Sequence, residues 1–249
     1  MNKKFFISAL ALSAMALGAS AQTVTDDPSS SFGARTSIGV EKKVAKGFTV
    51  GLEEELRFSD DFKSYTTLGA DLKVAPHLKV GAGYTFIYRQ DEMRHRAFVN
   101  LTENFKSGNW TFSLRERVQM TRRTADINTW QNPRNLVESR VRFKASYKVP
   151  GKKIEPYGML EEKNTLNAVK YTTTEASSMS YSDIYLNRMR CMLGVEWKIA
   201  KHQTLDIGAF YDYTYRKSID AKRSTGTLKT ITLKPGNNVN FAISYKIRL

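Results

Sequence analysis

The stretch RMRCMLGVEWKIA, residues 188 to 200, alternates with a period of two. Met189, Cys191, Leu193, Val195, Trp197 and Ile199 share one face, and Arg188, Arg190, Met192, Gly194, Glu196 and Lys198 share the other. This is the period of a β-strand, whose successive side chains point to opposite faces. Similar runs occupy most of the chain, for example Phe48 to Phe58, Leu78 to Arg89, Trp110 to Thr121, Arg140 to Tyr147, Leu205 to Arg216 and Val239 to Leu249. They are roughly 10 to 14 residues long, whereas strands of soluble proteins are most often about 5 to 6. A tilted strand needs about 9 to 11 residues to cross a bilayer. Aromatic residues sit near many run ends, including Phe48, Tyr88, Trp110, Trp197, Tyr215 and Tyr245, as in the aromatic girdles of membrane barrels.

The beginning of the chain points to export. Lys3 and Lys4 precede an apolar run from Phe5 to Gly18, and Ala19-Ser20-Ala21 is a small-x-small cleavage site. Residues 1–21 therefore read as a signal peptide, leaving residues 22–249 as one domain. No later stretch approaches the roughly 20 apolar residues of a membrane helix. A mature chain in a membrane would have to form a closed barrel, which satisfies its own backbone. Cys191 is the single cysteine, so no intrachain disulfide can form. The net charge of +15 fits anionic lipid or an anion path. Nucleic acid is a poor partner for an exported protein.

The expected architecture is all-β: an antiparallel up-and-down transmembrane β-barrel with short periplasmic turns and longer outer loops. Short connections fall at 45–47, 75–77, 107–109, 150–152 and 200–202, and longer polar ones at 59–63, 90–93, 123–135, 166–182 and 217–236. Eleven runs stand out, beginning with one at about 32 to 44. Bacterial single-chain barrels have even strand numbers, so the expectation is 12, with 10 as the fallback. Residues 23–31 are the candidate for the extra strand, and 227–234 (TLKTITLK) could pair as a loop extension. The competing fold is a soluble barrel with an apolar inside. Glu54 interrupts an outward apolar face, and either a headgroup position or a bulge would accommodate it.

With charged faces inward, the lumen holds Glu53, Glu55, Arg57, Arg96, Arg115, Arg117, Arg140, Arg142, Glu161, Arg188 and Arg190, joined by Asp71, Lys73 and Glu196. Charges in so narrow a space must pair and hydrogen-bond. Two readings follow. Interlocked arginine–carboxylate pairs could close the barrel, or an excess of cations could line a narrow anion-favouring path. An enzyme is a third reading, because lipid-modifying barrels need a nucleophile, a base and an orienting group. His77 and His202 fall in turns, and His95 lies near a strand end with no serine beside it. No catalytic residue is assigned. One cysteine and three scattered histidines give no metal spacing, and no cofactor motif is present.

The segments EEELRF (53–58), GAGYTFIYR (81–89), HRAFVNL (95–101), LRERVQ (114–119), EPYGMLEE (155–162) and RMRCMLGVEWKI (188–199) give the chain a family likeness. It resembles domain-of-unknown-function family 2490, uncharacterised Gram-negative outer-membrane β-barrels. The resemblance implies an outer-membrane location and recurring inward charges at Glu55, Arg57, Arg96, Arg115, Arg117, Glu161 and Arg188. It implies no activity. Phe32 stands where the resemblance leads one to expect a tryptophan at the start of the first strand. The expected partners are outer-membrane lipid, the barrel-insertion machinery and an unidentified ligand of the outer loops. The expected role is structural or loop-mediated, with a small anion-favouring pore as the alternative and a lipid-modifying enzyme as a distant one.

Overall fold

The computed structural model describes residues 23–24, 29–59, 62–90, 92–124, 133–167, 185–222, 224–225 and 227–249. Residues 1–21, read as a signal peptide, lie outside them. The strands in chain order are β1 (Thr23–Val24), β2 (Ser29–Ala45), β3 (Phe48–Phe58), β4 (Lys63–Lys73), β5 (Leu78–Arg89), β6 (Glu92–Ser107), β7 (Trp110–Arg123), β8 (Asn135–Tyr147), β9 (Ile154–Thr165), β10 (Tyr185–Ala200), β11 (Gln203–Ala221) and β12 (Leu228–Arg248). From β2 onward each strand pairs with the next, and β12 pairs back onto β2. The sheet closes and leaves no long edge.

Among the described residues the barrel has 11 staves, β2 to β12, which corrects the expectation of 12 or 10. The described residues of 23–31 add no further stave. Thr23 and Val24 lie along β12 opposite Thr232 and Leu233, and β2 continues along the same edge from Ser29, opposite Gly236. With an odd number, the first and last staves run the same way, so the seam between β2 and β12 is parallel. All other staves meet antiparallel. Side chains reinforce the seam on its inner face: Ser31 donates to Asn238, and Ser37 and Ser244 lie 2.6 Å apart.

The two ends of the barrel differ, though less than the sequence suggests. Connections at 124–134 and 166–184 are long. Those at 59–62 and 90–91 are as short as turns at the opposite end. Most of 217–236, expected as a loop, belongs to the β11–β12 hairpin.

Burial is inverted relative to a soluble protein. Leu193 is 74% exposed and Leu68 61%, whereas Glu161 is 2% exposed and Gln119 1%. Along most of the wall the apolar face points out and the polar face points in, while Ile87, Phe98, Met159 and Phe210 are buried among the polar residues and Ile231 and Leu233 of β12 form a small buried cluster. Near the short-turn end, Trp110 packs on Phe112 at 6.1 Å and on Tyr147 at 5.0 Å. Glu54 keeps its outward position: Thr66 on the next strand donates to it at 2.5 Å, and Ser64 also donates. No bulge is needed, because β3 and β4 hold regular register there.

Candidate functional site

The lumen is the candidate site, and strand register assembles it. The β8–β9 hairpin turns about Gly151, which places Arg142 opposite Glu161. The β9–β10 pairing sets Arg190 on the other side of Glu161. The β10–β11 pairing sets Asp212 beside Arg190. One rung of the wall therefore reads Arg115, Arg142, Glu161, Arg190, Asp212 across five strands.

Two buried carboxylates organise this layer. Glu161 accepts from Arg142 Nη2 at 2.6 Å and also from Arg188, with Arg115 at 3.8 Å. Asp212 takes Arg190 in a forked pair, at 2.6 and 2.7 Å, with Arg35 at 3.9 Å and Arg188 at 4.0 Å. Arg188 thus reaches both acids. Forked guanidinium–carboxylate pairing is the strong form of this contact. Arg190 and Arg35 both lie over the Phe210 ring, at 4.0 and 4.5 Å.

The remaining predicted residues sit around these hubs. Arg57 pairs with Glu55 and stacks on Tyr65 at 3.7 Å. Arg96 donates to Thr121 at 3.0 Å. Arg117 donates to Asn100 at 2.7 Å and lies over Phe98 at 4.0 Å. Arg140 faces inward with its Nε buried and without a hydrogen-bond partner. Glu53 lines a cavity of about 230 Å³ with Arg35, Arg142, Lys144, Tyr157 and Asp206, on the short-turn side of the layer.

Sequence reading overlooked several members. Asp212 lies on the polar face of the 205–216 run, so its parity already marked it as inward. Arg35 lies on the first run, two positions from Gly33 and Ser37 on the same face. Glu138 and Lys163 lie just beyond the runs taken as strands. They pair at 2.6 Å, and Gln119 donates to Glu138 at 2.6 Å. Tyr157 was also missed. It bonds Asp206 at 2.9 Å and lies under Lys144 at 3.8 Å.

Tyr157 lies flat against Gly194 of the neighbouring strand. A Cβ at 194 would come within 2.5 Å of the Tyr157 hydroxyl and 2.6 Å of Cζ. Gly194→Val is therefore expected to push Tyr157 off Asp206 and lower stability by about 1–3 kcal/mol, the usual range for overpacking. The urea midpoint of the refolded barrel reads this directly. An unchanged midpoint would mean that Tyr157 moves aside freely.

The other candidates carry little chemistry. The hydroxyl of Tyr84 hydrogen-bonds His95 on the outer face, and Phe86 meets the same imidazole edge-on at 5.6 Å. His77 stacks on Phe105 at 6.2 Å. Cys191 is exposed among Phe143, Leu160, Leu193 and Tyr211. Among the described residues, no group of three or more His, Cys, Asp or Glu could hold a metal ion.

A family model described as "Protein of unknown function (DUF2490)" matches residues 32–223. The chain belongs to this family. The match runs from the first stave to the β11–β12 connection, so it takes in both carboxylate hubs of this DUF2490 barrel. No curated protein matches the chain. Among solved structures, "NanC porin structure in rhombohedral crystal form" is similar at 12% sequence identity and a TM-score of 0.46, covering 73% of this chain and 85% of that one.

Proposed function

We propose that this DUF2490 member is a Gram-negative outer-membrane barrel, closed inside by its arginine–carboxylate layer, with recognition carried by the long-loop end. The inverted burial carries this reading. A water-facing barrel would not expose Leu68, Leu193 and Phe241 while burying Glu161, Asp212 and Arg190. In this orientation the short turns face the periplasm, the signal peptide directs export, and the barrel-insertion machinery places the chain in lipid. The closed lumen is supported by burial of Gln119, Thr121, Glu138, Glu161 and Arg190 along the inner faces of β7 to β10.

A second reading is a small anion-favouring pore. One observation favours it: Glu161 and Asp212 between them serve Arg35, Arg115, Arg142, Arg188 and Arg190, so cations outnumber their acids. Planar-bilayer recording separates the two readings. Residues 22–249, refolded and inserted, are expected to conduct no steady current. Stable channels with an anion-shifted reversal potential in a salt gradient would replace the closed barrel with the pore. A folded chain that fails to insert would remove the membrane assignment itself.

A further inference from the structure

One rung of the inner wall sets cations directly opposite one another on four successive strands. Arg117 pairs in register with Arg140, Arg140 with Lys163, and Lys163 with Arg188. Like charges directly opposite on neighbouring strands destabilise a sheet. The adjacent rung shows how the fold relieves such crowding. There Arg115 faces Arg142, and Glu161 lies next to Arg142 and collects three guanidiniums. In the crowded rung, Lys163 turns to Glu138 at 2.6 Å and Arg188 turns to Glu161.

Arg117 and Arg140 have no such relief. Among the described residues neither has a carboxylate within 4.0 Å, and the same is true of Arg96 on the neighbouring strand. Arg117 is held by the Asn100 amide oxygen and Arg96 by the Thr121 hydroxyl, both neutral acceptors. The Arg140 Nε is buried and unpartnered. Arg96 lies within electrostatic reach of both others. Three inward guanidiniums thus share one region, and among the described residues no carboxylate touches any of them: Glu138 and Glu161 act on them only at longer range and are themselves held by Lys163, Arg142 and Arg188. Leaving a buried charged donor unsatisfied is costly.

We propose that Arg96, Arg117 and Arg140 form a lumenal binding site for a small oxyanion, a carboxylate or a phosphate group. The guanidinium fork matches the spacing of two oxygens on one anion, and a group with several acceptors can bridge arginines that a single ion cannot. Glu161 is the built-in counterpart, a carboxylate held by arginines one rung away. The site depends neither on conduction through the lumen nor on the barrel lying in a membrane.

The test uses the refolded barrel in detergent micelles. Its melting temperature is followed while inorganic phosphate, or separately acetate, is titrated at constant ionic strength held with sodium chloride. A ligand bound only by the native state raises stability in a saturable way. The expected result is a saturable rise with at least one of the two anions. Arg140→Gln should move the half-saturation point at least tenfold higher. Lys42→Gln, at an exposed outward position of β2, should keep the wild-type response. Arg140→Glu supplies the missing carboxylate from the protein itself. It should respond to neither anion, yet melt no lower than the anion-free wild type. No response beyond that of sodium chloride, or a full response retained in Arg140→Gln, would overturn the proposal.

Discussion

Leu193→Arg is expected to lose most of its folding yield in lipid vesicles. Leu193 is 74% exposed and sits midway along β10, in an outward groove formed with Phe143, Leu160, Tyr211 and Val239. An arginine facing lipid near the bilayer midplane costs about 2–4 kcal/mol. On a water-facing wall the same change stays within about 0.5 kcal/mol. The contrast therefore reports directly on what surrounds the barrel. Heat-modifiable gel migration after refolding gives the folded fraction, with Leu193→Ile as the apolar control. A variant that folds as well as wild type would falsify the membrane assignment.

Glu161→Gln is expected to be the most damaging change inside the lumen. It removes the charge shared by Arg115, Arg142 and Arg188 while preserving shape. Breaking a buried ion pair from one side costs about 3–5 kcal/mol, because the partner charges remain buried. The urea midpoint measures the loss. Glu54→Gln is the comparison, since Glu54 faces outward and, among the described residues, bonds the Ser64 and Thr66 hydroxyls. Its effect should stay near about 1 kcal/mol, the scale of an ordinary hydrogen bond. Adding Arg142→Gln to Glu161→Gln should recover part of the loss, because the two sites are directly coupled. A loss below about 1 kcal/mol for Glu161→Gln would mean that the layer is not a coupled unit.

Much of this architecture is legible in the chain itself. Alternation assigns Leu193 and Arg190 to opposite faces without any structure, because a strand permits no other arrangement. The alternation is silent on closure. Whether β12 returns to β2 parallel or antiparallel changes no side chain's face, so the even-number rule decided the expected count and decided it wrongly. The pairing of charges was legible only in part. Arg142 opposite Glu161 follows from a turn centred on Gly151. The convergence of Arg188 on both Glu161 and Asp212 does not, since it depends on a register shift between Leu186 and Arg188 and on side-chain reach. Glu138 and Lys163 were hidden because polar residues there blur the apolar half of the pattern.

The parallel seam also decides sidedness. In a barrel with an even number of staves, the chain enters and leaves at the same end. Here β2 starts at the long-loop end, and β12 finishes beside the short turns, where Leu249 donates its amide to Glu41 at 2.7 Å. In the proposed orientation, a peptide tag ahead of Ser29 would be displayed to the medium, while one after Leu249 would remain in the periplasm. Antibody access to the two tags on intact cells would therefore differ, and that asymmetry is a signature of an odd-numbered wall.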